Sequence, residues 1–185
     1  YKRQHLKGKE LKNAIPDKIY ISLKDMRILT KVDMLMLEML ANCNWERPLY
    51  MAISVGEVSK LKFDHYFVQE GLAFRFTPFD YKKWGNVKGD NNYAIDVERL
   101  YENVMNRYKY GGLDTPGLYL DETTLRTCYY HRRLFAQLAK ELIRQGDNTR
   151  ARKVLAYAEQ AVPAYNVPEI YESGSFDIAK AYACL

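Results

Sequence analysis

The 185-residue sequence predicts an α+β fold, a small α/β unit followed by an α-helical hairpin region. Three observations carry that prediction. Residues 121–163 hold two stretches with apolar side chains at three-and-four spacing, separated by Gly146-Asp147 and stopped by Pro163, as two helices packed face to face require. Residues 48–54 have the length and content of a buried strand, and 72–79 read as another. Between these parts, residues 80–92 gather Gly85, Gly89, Asn86, Asn91, Asn92 and several lysines, the composition of a solvated loop and the best boundary. The predicted organisation is a polar arm over 1–18, an α/β unit over 19–92 and a helical region over 93–185.

Within the first unit, Ile19-Tyr20-Ile21-Ser22-Leu23 alternates and is rich in β-formers, which predicts a strand with Ile19, Ile21 and Leu23 inward. Thr30 and Asp33 form a capping-box variant that opens a helix over 31–41, with Leu35, Met36, Met39 and Leu40 expected to bury. The segment 63–70 suits a short helix with Gly71 as its C-terminal cap. Strand, helix, strand allows a βαβ crossover, although a hairpin-like return is the alternative. In the second unit, Asp96 is the expected N-cap of a helix carrying Val97, Leu100, Tyr101, Val104, Met105 and Tyr108 on one stripe, with Ile95 and Leu100 as a hydrophobic staple and Gly111-Gly112 as the stop.

Aligned on Pro163, the helical pair reads Phe135-x-x-Leu138-Ala139-x-x-Leu142, Gly146, Ala151-x-x-x-Leu155-x-x-Ala158, the spacing of one tetratricopeptide repeat. Ala139, Ala151 and Ala158 are small because closely crossing helices need a missing side chain at the contact, while Leu138 and Leu155 fill the space beside them. Ile178-Ala179-x-x-Tyr182 repeats the Leu138-Ala139-x-x-Leu142 unit and has no partner helix before Leu185. A single repeat does not bury its own stripe, so the helical region is expected to be truncated and the chain to be a piece of a longer protein.

Composition narrows the function classes. An apolar content of 48% and an aromatic content of 14%, led by 16 tyrosines, exclude a disordered chain. The net charge of +5 is modest, and its one cluster, Lys2, Arg3, Lys7, Lys9 and Lys12, reads as a solvated arm in preference to an acidic-lipid or nucleic-acid contact. No aromatic-interleaved basic groove follows, so nucleic acid is not an expected partner. The apolar run from Met34 to Ala41 is too short to cross a bilayer and is interrupted by Glu38. Cys43, Cys128 and Cys184 have neither CxxC spacing nor an even count, so no zinc site or disulfide framework is expected, and no metal or cofactor is implied.

Two further stretches resemble a known family. They are Asn44-Trp45-Glu46-Arg47-Pro48-Leu49-Tyr50 and Tyr66-Phe67-Val68-Gln69-Glu70-Gly71-Leu72-Ala73-Phe74-Arg75-Phe76-Thr77-Pro78, continued by Tyr119-Leu120-Asp121-Glu122, Arg133-x-Phe135-x-x-Leu138-Ala139 and Val167-Pro168. Together they look like the soluble C-terminal region of large bacterial multi-spanning membrane proteins, long known only as a domain of unknown function and related to protein O-mannosyltransferases of the GT-C type. The resemblance implies a catalytic membrane half preceding this piece, which would transfer a sugar from a lipid-linked donor on the extracytoplasmic side. It also implies a periplasmic location for this piece, with that membrane half, an acceptor protein or a glycan as partner. The acidic catalytic residues of GT-C enzymes lie in loops of the membrane half, and none is carried over.

The candidate binding residues are Asn44, Trp45, Arg47, Arg126, Arg133, Tyr165 and Tyr171. The Trp45 indole has the flat apolar face that sugars stack on, and Arg47 suits an acidic group. The competing reading has Trp45 plugging a helix-to-strand junction while Asn44 and Arg47 bond the turn, and a turn that enters a buried strand favours it. Arg126 and Arg133, about two turns apart, could grip an anion, although acids at Asp121-Glu122 followed by bases is ordinary dipole compensation. Tyr165 and Tyr171 belong to a tyrosine cluster in the repeat region, where concave surfaces of repeat proteins bind peptides; the competing reading, interhelical packing with hydroxyls at the rim, is weaker for these two linker residues. His65, beside Asp64 and near Glu70, reads as a satisfied histidine. The functional expectation is therefore a non-catalytic, extracytoplasmic binding or docking domain of a GT-C-like membrane glycosyltransferase. The alternative is a free-standing tetratricopeptide-type adaptor for peptides. A self-sufficient hydrolase ranks last, for want of a nucleophile, base and oxyanion arrangement.

Overall fold

The computed structural model describes residues 18–23, 27–55, 64–81 and 93–185. The arm and its basic cluster (residues 1–17) and most of the expected loop (residues 82–92) lie outside the described residues. The fold is α+β. The chain divides into two compact units, one of residues 1–69 and 73–95, the other of residues 70–72 and 96–185.

The first unit pairs a helix with a four-stranded sheet. Helix α1 (Lys31–Ala41) starts in the expected capping box: the Thr30 hydroxyl accepts from the Asp33 amide at 3.2 Å, and the Asp33 carboxylate accepts from the Thr30 amide at 2.9 Å. This cap buries Asp33 and turns Met36, Leu37 and Leu40 onto a core of Tyr66, Phe67, Phe74 and Phe76. Leu35 and Met39, expected to bury, are instead 61% and 51% exposed. Residues 34–37 are all apolar, so periodicity carries no rotational phase there, and the cap sets it.

Strand β1 (Tyr50–Ala52) pairs antiparallel with β3 (Ala73–Phe76), which pairs antiparallel with β2 (Phe67–Gln69), which pairs in parallel with β4 (Ala94–Ile95), giving the order β1-β3-β2-β4. The segment 48–54, expected as a buried strand, is therefore an edge strand with Tyr50 half-exposed. The helix expected over 63–70 is confined to one 3-10 turn at Asp64–Tyr66 before β2 begins. Aromatic and β-branched residues at Phe67 and Val68 favour the sheet, where both are buried. The return is realised and the crossover is not: the two expected strands pair antiparallel, with Tyr50 opposite Arg75 and Ala52 opposite Ala73, while β2 and β3 form a hairpin with Phe67 opposite Phe76. Residues 19–23 form no strand; Ile19 and Ile21 still pack against the core, whereas Leu23 is exposed.

The second unit is helical. Helix α2 (Val97–Glu102) is capped by Asp96, as expected, through the Arg99 amide at 3.1 Å. It widens into a π turn over Asn103–Arg107, so the helical run stops at Tyr108, short of Gly111-Gly112. The extra residue of the π turn swings Tyr108 toward the hairpin tip, where its hydroxyl accepts from the Leu72 amide at 2.9 Å. A Cβ on Gly71 would lie 2.0 Å from that hydroxyl, so Gly71 is fixed by close approach and is not a helix cap. Glu70 completes the tip by accepting from Arg99 at 3.1 Å and, through its carbonyl, from Asn103 at 2.6 Å.

Helices α3 (Glu122–Arg144) and α4 (Asn148–Ala161) form the expected hairpin. The turn closes with the Gly146 amide on the Ile143 carbonyl and the Asp147 amide on the Leu142 carbonyl, both at 2.9 Å, with Gly146 left-handed at φ 81°. Leu138, Ala139, Leu142, Ala151, Leu155 and Ala158 are all buried, as their spacing required. Helix α5 (Ser175–Ala183) packs on α3 from another side, which is why Leu134 and Ala136 are buried as well. Its register differs from the expected repeat. Ala181 is the buried small residue, while Ala179 and Tyr182 are exposed. The shift follows from Gly174 at φ 84°, where a Cβ would meet Arg133 Cγ at 2.8 Å and the Arg133 amide nitrogen at 3.1 Å; α5 starts against α3 there, and the Lys140–Asp177 pair at 2.8 Å fixes its rotation.

Candidate functional site

Asn44 and Trp45 are consecutive non-glycine residues with left-handed backbones, φ 45° and 59°. They are the central pair of a tight turn closed by the Glu46 amide on the Cys43 carbonyl at 3.3 Å. Asparagine tolerates that conformation through its short polar side chain, whereas a tryptophan there costs roughly 1–2 kcal/mol. Stacking offsets it: the indole lies on Phe76 with centroids 5.3 Å apart and planes 11° from parallel. Trp45 nevertheless stays half-exposed, so one face is anchored and the ring remains open to solvent beside exposed Asn44 and Arg47. An accessible indole anchored on one face can stack on an apolar sugar face or a side chain, and exposed Arg47, two positions on, carries a group able to bond an oxygen.

The other four candidates lie in the second unit. Arg126 pairs with Glu122 one turn earlier at 2.6 Å, both side chains well exposed. Arg133 donates to the Glu172 carbonyl. The two arginines thus have separate partners. Tyr165 donates to the Asp114 carbonyl at 2.6 Å and leaves its ring exposed; Tyr171 is exposed beside Phe176, with centroids 5.8 Å apart. Through Glu172, Arg133 is brought next to Tyr171. His65 lies against Tyr66 with its ring tilted 39° and faces Asp80 at 4.0 Å.

Sequence reasoning missed the residue that holds this linker. Arg132 is buried, and its guanidinium donates to the carbonyls of Val162 (3.0 Å), Val167 (2.8 Å) and Pro168 (3.2 Å) and to Ser175 Oγ (3.2 Å). Burial pulls its pKa down while Glu169 raises it, and an arginine keeps its charge through such shifts. The signal was present: Cys128, Arg132, Phe135 and Ala139 fall at steps of four, three and four on the apolar stripe, so this arginine of the Arg132-Arg133 pair had to face inward. Buried Asn166 works from the other side, its amide donating to the carbonyls of Leu113 (2.7 Å) and Thr115 (2.6 Å). With Tyr165 on Asp114, three successive carbonyls are gripped by two neighbouring side chains.

An aromatic group backs the same helices. Tyr110 stacks on Phe135 and meets Tyr157 and His131 edge-on, and its hydroxyl donates to the Val104 carbonyl at 2.8 Å. Burial pushes the Tyr110 phenol far up and the His131 imidazole down, so both are neutral at neutral pH. Among the described residues no group of three or more His, Cys, Asp or Glu side chains is placed to hold a metal ion, and the three cysteines are unpaired thiols.

A family model described as TMEM260-associated domain 2 matches residues 1–98. The chain belongs to that family. The matched segment holds α1, the whole sheet and the Asn44-Trp45 turn, and it ends inside α2. The TMEM260-associated family is tied to membrane proteins, which agrees with the coarse resemblance drawn from the sequence. No curated protein and no solved structure matches the chain. Among the described residues no helix is long and apolar enough to cross a membrane.

Proposed function

We propose that this TMEM260-associated domain is a non-catalytic, extracytoplasmic binding or docking domain of a GT-C-like membrane glycosyltransferase related to protein O-mannosyltransferases. The observation that supports the reading is the family match over the first 98 residues, whose description associates the domain with a membrane protein family. The exposed chemistry supports it: Trp45, Tyr165 and Tyr171 present rings from backbone held by stacking and hydrogen bonds, as a contact surface requires. The second unit is read as one tetratricopeptide-like repeat followed by the first helix of another, supported by the buried Leu138, Ala139, Ala151, Leu155 and Ala158 seam.

Topology and contact are tested separately. In intact cells carrying the full-length parent, an impermeant maleimide is expected to label exposed Cys184, with Cys184→Ser as the control; labelling only after lysis refutes the extracytoplasmic assignment. A glycan and peptide array probed with the chain and with Trp45→Ala is expected to show contacts weakened in the variant. Sugar transfer by the chain alone refutes the non-catalytic assignment.

A further inference from the structure

The apolar side chains of α1 exceed what its core contact uses. Met36, Leu37 and Leu40 face the sheet core, whereas Val32, Leu35 and Met39, at steps of three and four, form a second stripe that is exposed along its length. A helix apolar on two sides is ordinarily covered on both. Ile28, just before the cap, and Tyr20, between core-facing Ile19 and Ile21, add further exposed apolar surface to the same unit.

Charge says what kind of surface covers it. The first 31 residues carry nine Lys or Arg against three Asp or Glu, while the remainder carries 19 against 20, so the net positive charge of the chain comes from the sequence up to Lys31. Arg27 and Lys31, flanking the cap, and Lys18 are exposed. The one exposed acid on α1, Glu38, is taken up by the Asn42 amide at 2.8 Å. A second copy of the chain is itself net positive and offers the exposed Arg27 and Lys31 no complementary charge. An apolar stripe with a basic approach fits an anionic bilayer surface, where the aliphatic side chains enter the acyl boundary and the cations meet headgroup phosphates.

We propose that α1 seats the first unit on an anionic lipid surface through Val32, Leu35 and Met39, with Arg27 and Lys31 on the headgroups. The inference rests on the reading that this domain works beside a membrane, and it names the surface that holds it there.

The test is co-sedimentation of the chain with vesicles of phosphatidylcholine alone and of phosphatidylcholine with roughly one-third phosphatidylglycerol. Binding is expected to the anionic vesicles and to fall as salt screens the charges. Val32→Ser/Leu35→Ser/Met39→Ser should lower partitioning about tenfold or more, and Arg27→Gln/Lys31→Gln should erode the anionic preference, both with unchanged circular dichroism. Because a triple variant could unfold, a polarity-sensitive dye on Met39→Cys, in a chain also carrying Cys43→Ser and Cys184→Ser so that no other accessible thiol is labelled, supplies a second readout, expected to shift to the blue on anionic vesicles only. No binding by the unaltered chain, equal binding by a folded triple variant, or an unshifted dye overturns the proposal. So does concentration-dependent dimerisation that the triple variant abolishes, or capture of an acidic protein through the same stripe without lipid. If vesicles are ignored while Cys184 in the intact parent is labelled from outside, only the lipid contact fails; labelling solely after lysis removes the extracytoplasmic reading instead.

Discussion

Replacing Arg132 by methionine should be the most damaging single change to the helical unit. The guanidinium serves three backbone carbonyls and one hydroxyl from a buried position, and the carbonyls of Val162, Val167 and Pro168 cannot be substituted away with it. A buried charge replaced by an apolar side chain is often tolerated when its partners are replaced too. Here the partners stay. The bonds to Val162 and Val167 are both buried, and leaving two buried carbonyls unserved costs about 2–6 kcal/mol, less whatever is recovered by no longer desolvating a cation. A loss of about 3 kcal/mol in a unit of this size lowers the melting temperature by roughly 12–24 °C. Circular dichroism melts of Arg132→Met, with Arg133→Met as the exposed neighbour control, measure it. Amide exchange should show residues 162–168 opening before the rest. Arg132→Lys should restore little, because a compact ammonium does not span acceptors that a planar fork reaches. A shift below about 2 °C with unchanged exchange in that linker would show that the linker holds itself and that the arginine is incidental.

Gly174→Ala should destabilise α5 by about 1–3 kcal/mol, because φ 84° is left-handed and a Cβ would press on the Arg133 backbone; a wild-type melt would refute the close approach. At Trp45 the left-handed backbone predicts that Trp45→Gly melts above Trp45→Ala by about 1 kcal/mol, although both lose the Phe76 stack; the reverse order contradicts the turn geometry. If anchoring is the indole's main work, Trp45→Ala costs stability more than it costs array binding, and unchanged melting with lost binding reverses that. His131 gives a pH prediction. Burial lowers its folded pKa below the unfolded value near 6.5, so the unfolded chain binds the proton more readily, and stability falls as pH drops through that value until the folded imidazole also titrates. His131→Phe should flatten melting temperature against pH between about 7 and 5, and an unaltered slope assigns the effect elsewhere.

Elements whose local chemistry is decisive were legible. The Thr30-Asp33 box, the Asp96 cap and the Gly146 turn formed where spacing placed them, since each is settled within a few residues. Elements settled by distant partners were not. Residues 63–70 carry a helix-compatible pattern, yet Phe67 opposite Phe76 and Val68 beside Ala94 make Phe67–Gln69 a strand, and no local signal encodes those pairings. The rotational phase of α1 escaped for the opposite reason, as four apolar residues in a row leave every direction equally good. In α5, Ala179 matched the repeat by spacing, but Gly174 and the Lys140–Asp177 pair set the register on Ala181.

The candidate residues divide along the same line, and the division bears on what kind of site this is. Trp45 was found because a large aromatic next to Asn-Arg-Pro chemistry stands out in sequence, but the feature that matters, a left-handed backbone balanced by Phe76, depends on a strand thirty positions away. Arg132 was passed over because charged residues in pairs look solvated, although its place on the Cys128–Phe135–Ala139 stripe required burial. What the two share is rigidity supplied from behind: Phe76 under the indole, and Arg132 and Asn166 under the linker that presents Tyr165. Contact surfaces gain affinity when their rings are already held in place, since less side-chain entropy is lost on binding. The Phe76 stack beneath Trp45 and the cation beneath the linker each hold the backbone of their own unit, and the proposed presentation of side chains to a partner draws on that same fixation.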